Sequence, residues 1–276
     1  MSGSTPAGHP LVAAARRPIA RRLTATVRGD SRGPTVVLLH GLLGSAAYWD
    51  GVTRLLPGRR VIALDLLGFG ASPRPADATY DTDDHVAAVA ATLDTLGLTE
   101  PVTVVGHSMG ALVALRLAAD HPGRVARLVL VGMPVFESPE AARRALGRTP
   151  LRRVLLYGPT SRLLCLVWCR TLRPVSRRVA PLYVRRVPAA VARATVDHSW
   201  WSYSRSLAGV VESQDVAEDL GRVVCPVVVV RGDRDPDARL PEGAGLRAGV
   251  EDVTVPGGHQ LPVRRPDVVA DVIRRG

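Results

Sequence analysis

The stretch Val102 to Leu117, VTVVGHSMGALVALRL, decides how the rest of this chain is read. A β-branched apolar run ends at Gly106, a serine stands between two glycines, and apolar residues then recur at helical spacing, which predicts strand, sharp turn and helix. At Gly106-His107-Ser108-Met109-Gly110 the turn has to hold Ser108 in a strained backbone. Glycine at the flanking positions lets strand and helix cross without a Cβ clash. The Ser108 hydroxyl then projects above the sheet, with the unpaired first-turn amides and the helix dipole facing any negative charge that forms on an attacked carbonyl. Acyl transfer needs that arrangement.

Other motifs follow in a fixed order around it: Leu39-His40-Gly41-Leu42-Leu43-Gly44, Asp65-Leu66-Leu67-Gly68-Phe69-Gly70-Ala71-Ser72, Gly232-Asp233-Arg234-Asp235 and Gly257-Gly258-His259. With these motifs the chain, from about Leu23 to its end, resembles the α/β-hydrolase superfamily. The resemblance implies an α/β fold with a mostly parallel central sheet, flanking helices and a helical lid inserted after the strand that follows the nucleophile helix. It implies Ser108 as nucleophile, His259 as base and Asp235 as the acid that orients the histidine, in the chain order serine, aspartate, histidine. The backbone N–H groups of Leu42 and Met109 are the implied oxyanion donors.

Alternatives exist at several positions. Asp233 is the second candidate for the acid, and Glu137 would serve in relatives that place the acid after the preceding strand. His40 reads as a brace for its loop, since one base is enough, and the resemblance makes Asp65 structural, holding the glycine-rich turn through local hydrogen bonds. His85, on the first turn of a helix expected over Thr82 to Leu96, reads as a solvated surface residue.

Length and composition agree with this plan. A chain of 276 residues can bury a full α/β core plus a lid, and no apolar run approaches the length needed to cross a bilayer. The expected organisation is a loose N-terminal segment over 1–20, core over 21–133, lid over 134–219 and core again over 220–276. Cys165, Cys169 and Cys225 cannot form a complete disulfide framework, and no second pair of ligands accompanies the first two to suggest zinc. The cysteine usage, with arginines near the N-terminus that are not followed by an apolar signal core, leads to the expectation of a cytoplasmic protein, and the implied serine chemistry requires no metal or organic cofactor. Regular elements are further expected at Leu23 to Val27, Thr35 to Leu39, Tyr48 to Leu56, Arg60 to Leu64, Val125 to Val131, Cys225 to Val230, Leu240 to Ala248, Glu251 to Val255 and Pro266 to Arg275.

Charge is regional. The net +11 comes from 36 basic residues, all arginine, and 25 acids; thirteen of the arginines lie between Arg143 and Arg193, where there is no acid, leaving −2 for the rest. No helix-turn-helix, finger or aromatic-studded sheet motif accompanies the basic stretch, so nucleic acid is not an expected partner. From Pro134 to about Asp219 the strand and helix alternation gives way to arginine-studded apolar pieces. Among these are Leu163 to Cys169, bracketed by Arg162 and Arg170, and later Trp200, Trp201 and Tyr203. Two readings of this lid stay open: apolar faces packed on the core with arginines in solvent, or a surface that meets anionic membrane or lipid-like substrate.

The residues therefore point to a serine hydrolase of carboxylic esters or related acyl bonds, acting on an apolar small molecule or a lipid-like substrate. Carbon–carbon bond hydrolysis and acyl transfer use the same residues on the same fold, and a non-catalytic ligand-binding scaffold is the alternative of another class.

Overall fold

In the computed structural model, residues 20–238 and 249–275 are described. The expected helix over 240–248 and all but the last residue of the N-terminal segment lie outside the described residues. Seven strands form one sheet: β1 (Ala25–Gly29), β2 (Thr35–Leu39), β3 (Arg60–Leu64), β4 (Val102–His107), β5 (Val125–Val131), β6 (Val227–Gly232) and β7 (Val250–Val255). Their order across the sheet is β1-β3-β2-β4-β5-β6-β7, with β1 antiparallel to β3 and every other pair parallel. β4 is the middle strand, so the carboxyl end of the serine-bearing segment opens at the centre of the sheet edge where α/β folds gather ligands.

The strand sequences explain this placement. Val36, Val37, Leu38 and Leu39 are all buried, as the inner strand of a sheet covered on both faces requires. Their side chains alternate. Val37 and Leu39 join one core cluster with Leu112, Leu115 and Val89, from helices Met109–Asp120 and Thr82–Thr95. Val36 and Leu38 join the other with Trp49, Val269 and Ile273, under helix Pro266–Arg274. Each fully buried Leu or Ile contributes roughly 1.5–3 kcal/mol relative to exposure, so two such layers dominate the stability of the frame.

The other expected strands and helices are present, with end shifts of a few residues. The Tyr48 to Leu56 segment is a 3₁₀ turn over Ala46–Trp49 running into a single α-turn over Asp50–Thr53. The reading of His85 is corrected. It is fully buried, and Nε2 lies 2.9 Å from Ser206 Oγ in the segment between β5 and β6, because the first turn of helix Thr82–Thr95 is covered by the Leu207–Val211 turn. A first-turn position near an N-cap looks exposed in sequence only if nothing folds over it.

Between β5 and β6 the chain forms short helices: Pro139–Leu146, Pro150–Leu156, Gly158–Cys165, Arg173–Tyr183, Ala189–Ala194, Trp200–Ser206 and Val216–Arg222, with π-helical turns at Leu166–Thr171 and Leu207–Val211. Their starts are written in the sequence. Ser138 and Thr149 cap the amides of Ala141 and Arg152, each followed by a proline in the first turn, and Ser199 and Ser202 form a reciprocal capping box. No helix among the described residues is long and apolar enough to cross a membrane.

Candidate active site

Ser108 stands at the crossing of β4 and helix Met109–Asp120 with φ 54° and ψ −122°, a conformation that a non-glycine residue adopts only under constraint. The constraint is steric. A Cβ on Gly106 would lie 2.2 Å from the Gly110 carbonyl oxygen, and one on Gly110 would lie 2.4 Å from that of Leu39. Only bare backbone fits at both points, which is why the strand turns so sharply and presents the serine.

His259 Nε2 lies 3.0 Å from Ser108 Oγ, and His259 Nδ1 lies 2.8 Å from Asp235 Oδ2. The Asp235 carboxylate is almost fully buried, while the imidazole is 42 % exposed on the open side. The two loops that carry them, after β6 and β7, are bound to one another. Asp233 N–H donates to Val255 O at 2.9 Å, Arg234 N–H to Gly257 O at 2.9 Å, and Gly257 N–H to the Asp233 carboxylate at 2.8 Å. Asp233, the second candidate acid, is thus occupied in bracing the histidine loop, and of the two acids it is Asp235 that meets the imidazole.

On the other side of the serine, the loop after β2 carries Leu42. The φ of 61° at Leu43 marks a tight backbone turn there. His40 braces it as expected: it is fully buried, its Nδ1 contacts Gly41 O at 2.7 Å, and its Nε2 accepts from Leu66 N–H at 2.9 Å. Burial lowers the His40 pKa, against the raising effect of Asp65, so the ring that accepts from Leu66 is neutral. Asp65 accepts from the amides of Ala46 and Ala71 at 2.7 Å each, joining this loop to the glycine-rich turn. Neither the Leu42 nor the Met109 amide has an acceptor assigned among the described residues. For Met109, first in its helix, none is available within the helix.

One residue of the site was passed over in the sequence. His107 is buried, its Nε2 sits 2.8 Å from the carbonyl oxygen of His259, and its ring stacks on Tyr48 at 4.8 Å. Burial, reinforced by repulsion from His259, pushes its pKa down to about 3, so the ring is neutral and donates Nε2–H to that carbonyl. Its position before the serine was visible, but its partner is 152 residues away and no spacing rule links them. Elsewhere, Cys165, Cys169 and His198 converge; the two cysteines were read as lacking further ligands because His198 lies far along the chain.

A serine oxygen hydrogen-bonded to an imidazole, itself bonded to a buried carboxylate, can pass its proton to the ring as it attacks a carbon centre. Set at the strand-to-helix crossing of a mostly parallel sheet, this is the plan of enzymes with the α/β-hydrolase fold. The chain belongs to that family and is an enzyme of it: the family model described as alpha/beta hydrolase fold matches residues 34–236.

Among similar proteins is RutD of Variovorax paradoxus (strain S110), named for carbamate hydrolysis, 32% identical over 86% of this chain and 86% of its own. The 2-hydroxymuconate semialdehyde hydrolase of Pseudomonas sp. (strain CF600) is 40% identical over 42% of each chain. BODYGUARD 5 of Arabidopsis thaliana, named as a lysophospholipase, is 28% identical over 72% of this chain, which spans about half (51%) of that relative's length. Of solved structures, E-2-(acetamidomethylene)succinate hydrolase aligns over 94% of this chain and 97% of its own with a TM-score of 0.70 and 23% identity, a likeness of fold.

Proposed function

We propose that the protein is a serine hydrolase that cleaves a carboxylic ester or related acyl bond through an acyl-enzyme, on an apolar or lipid-like substrate. The observation that carries this reading is the unbroken line from Ser108 Oγ through His259 to Asp235, at 3.0 and 2.8 Å. In the reaction it supports, Oγ attacks the carbonyl carbon while its proton passes to His259 Nε2. Asp235 keeps Nδ1–H fixed and stabilises the imidazolium. The Leu42 and Met109 amides receive the oxyanion, each such donor worth about 3–4 kcal/mol of barrier. Collapse returns the Nε2 proton to the departing alcohol, and water, deprotonated by the same ring, releases the acid.

The preference for an apolar substrate is supported by the lid. It leaves the β5 strand beside the Asp235 loop, where Val135 N–H donates to Asp237 O at 3.0 Å, and it is rich in apolar side chains. Names of similar proteins span carbamate, lysophospholipid and carbon–carbon bond substrates, so substrate selection has to be measured. A p-nitrophenyl ester series from short to long acyl chains, run beside one vinylogous diketone, makes that test. Ester turnover that vanishes in Ser108→Ala is the expected result. Turnover of the diketone alone would move the reading to carbon–carbon bond cleavage, and ester turnover unchanged in Ser108→Ala would overturn it.

A second reading, of where the enzyme works, rests on a separate observation. Of the fourteen large apolar side chains exposed among the described residues, twelve lie between Leu151 and Trp201, within or beside the arginine-rich stretch. Arg162 and Arg205 stack on Trp201, at 5.6 and 4.8 Å. Exposed leucines, tryptophans and arginines interleaved on short helices suit the headgroup region of an anionic lipid surface. Vesicle co-sedimentation at low salt is expected to favour anionic over neutral lipid; equal binding to both would remove this reading.

A further inference from the structure

Outside the serine site, one cluster of chemistry-bearing side chains has no part in the reaction. Cys165 ends helix Gly158–Cys165, Cys169 follows four residues later in the π-helical turn Leu166–Thr171, and His198 precedes helix Trp200–Ser206. Spacing of four puts both thiols on one helical face, and the fold brings the imidazole to it. All three residues are buried, and their ligand atoms lie within 4.8 Å of one another.

The geometry is that of a ligand set. Cys165 Sγ and His198 Nε2 are 3.5 Å apart. An ion bound tetrahedrally to sulfur at about 2.3 Å and nitrogen at about 2.0 Å separates those atoms by about 3.5 Å, so this edge needs no rearrangement. The imidazole of His198 is buried, 5% exposed, and it is Nε2 that turns to the thiols. The backbone around the cluster is already clamped. Arg173 donates to the carbonyl of Cys169 at 2.6 Å and to that of His198 at 3.0 Å, holding the two segments together.

We propose that Cys165, Cys169 and His198 bind a single thiophilic d10 cation, Cu(I) or Zn(II). Two thiolates and an imidazole with no carboxylate among them disfavour magnesium, calcium and manganese. Three ligands complete a trigonal Cu(I) site, whose net charge of −1 with two thiolates is compatible with the neighbouring Arg173. Zn(II) would be neutralised and would take a fourth ligand. A cavity of about 640 Å³ lined by Cys165, His198, Arg74, Arg162 and Trp200 gives the cluster an entry path and room for that ligand. Each thiol that ligates gives up its proton to solvent, so uptake releases up to two protons per ion. Bound metal would tie the two lid segments to the loop at Phe69, which forms a β-bridge with His198.

The test uses the full chain, reduced and stripped with a chelator, in two arms. One titrates Cu(I) under nitrogen against a colorimetric Cu(I) chelator, and the other titrates Zn(II) against a zinc dye. One ion per chain is expected in at least one arm, with the arms deciding which. Affinity is expected to fall by more than about tenfold in Cys169→Ser and in His198→Asn, and to stay unchanged in Cys225→Ser. Wild type that takes up no more of either ion than the Cys165→Ser/Cys169→Ser double variant overturns the proposal. Should the variants fail to fold, alkylation of wild type decides: one equivalent of metal is expected to slow labelling of Cys165 and Cys169 but not Cys225, and equal rates with and without metal would contradict the site.

Discussion

His107 Nε2 sits 2.8 Å from the carbonyl oxygen of His259, so the residue before the elbow serine holds the loop that carries the imidazole facing it. The serine and the imidazole are therefore fixed relative to each other twice, once through their own side chains and once through this buried brace. The brace has a mechanical basis: burial keeps His107 neutral, with its pKa near 3, so Nε2 carries a proton to donate.

His107→Ala removes that donor and leaves a void under Tyr48. The expected result is a kcat at least about tenfold lower with KM little changed, since a misplaced base costs rate rather than binding. His107→Gln, which restores an N–H donor, should recover part of the loss. Equal kinetics for wild type and His107→Ala on a p-nitrophenyl ester would show that the brace does not position the base.

Asp235→Asn and Asp233→Asn separate the two acids of one loop. Asp235 alone meets the imidazole, so its amide variant is expected to lose roughly 10³- to 10⁴-fold in kcat while melting close to wild type. Asp233 accepts from the Gly257 amide, so its variant is expected to lose stability of about 1 kcal/mol and comparatively little rate. Steady-state kinetics beside thermal melts read both effects, and a reversed pattern would reassign the acid.

Acid stability should report on His85. Its burial, together with repulsion from His40, lowers its pKa to about 4, whereas in the unfolded chain it titrates near 6.5. The unfolded state therefore binds more protons between these values. The stability is fully present above about pH 6.5 and declines as pH falls toward 4. From pH 7 to pH 5 this one residue accounts for a loss of about 2 kcal/mol. His85→Gln, still able to reach Ser206, should shrink the wild-type loss over that interval by about that amount in urea melts. An unchanged pH dependence would mean that His85 is not held neutral.

The elbow glycine offers a purely steric prediction. A Cβ at Gly106 would meet the Gly110 carbonyl oxygen at 2.2 Å and the Ala111 Cα at 2.5 Å, both backbone atoms. Gly106→Ala should therefore cost more than about 3 kcal/mol, seen as loss of soluble folded protein or a large drop in melting temperature. A variant that melts like wild type would show that strand and helix cross less closely.

Legibility in the sequence followed the range of the interactions. β2, β3, β4 and β5 were readable because inner parallel strands are short apolar runs, and the crossing at Ser108 because glycine at position 106 is demanded by backbone only four and five residues further on. The mostly parallel sheet and the loops bearing Asp235 and His259 came through resemblance, not through any local rule. What was missed depends on distant chain. His85 is covered by Ser206 and stacks on Phe69, His107 acquires its partner from the last loop, and Cys165 and Cys169 acquire His198 from a separate segment between β5 and β6. The segment between β5 and β6 was legible as a break in the strand and helix alternation, but not as a surface, since which arginine-flanked apolar residues stay exposed is decided by packing among short helices.

The central claim is that Ser108 is a nucleophile activated by His259. Intact-mass analysis of the protein treated with a fluorophosphonate tests it most directly. One phosphonyl adduct per chain is predicted, located on the peptide containing Ser108 and absent in Ser108→Ala. Wild-type protein that stays unlabelled, or an adduct that persists in Ser108→Ala, would contradict the account.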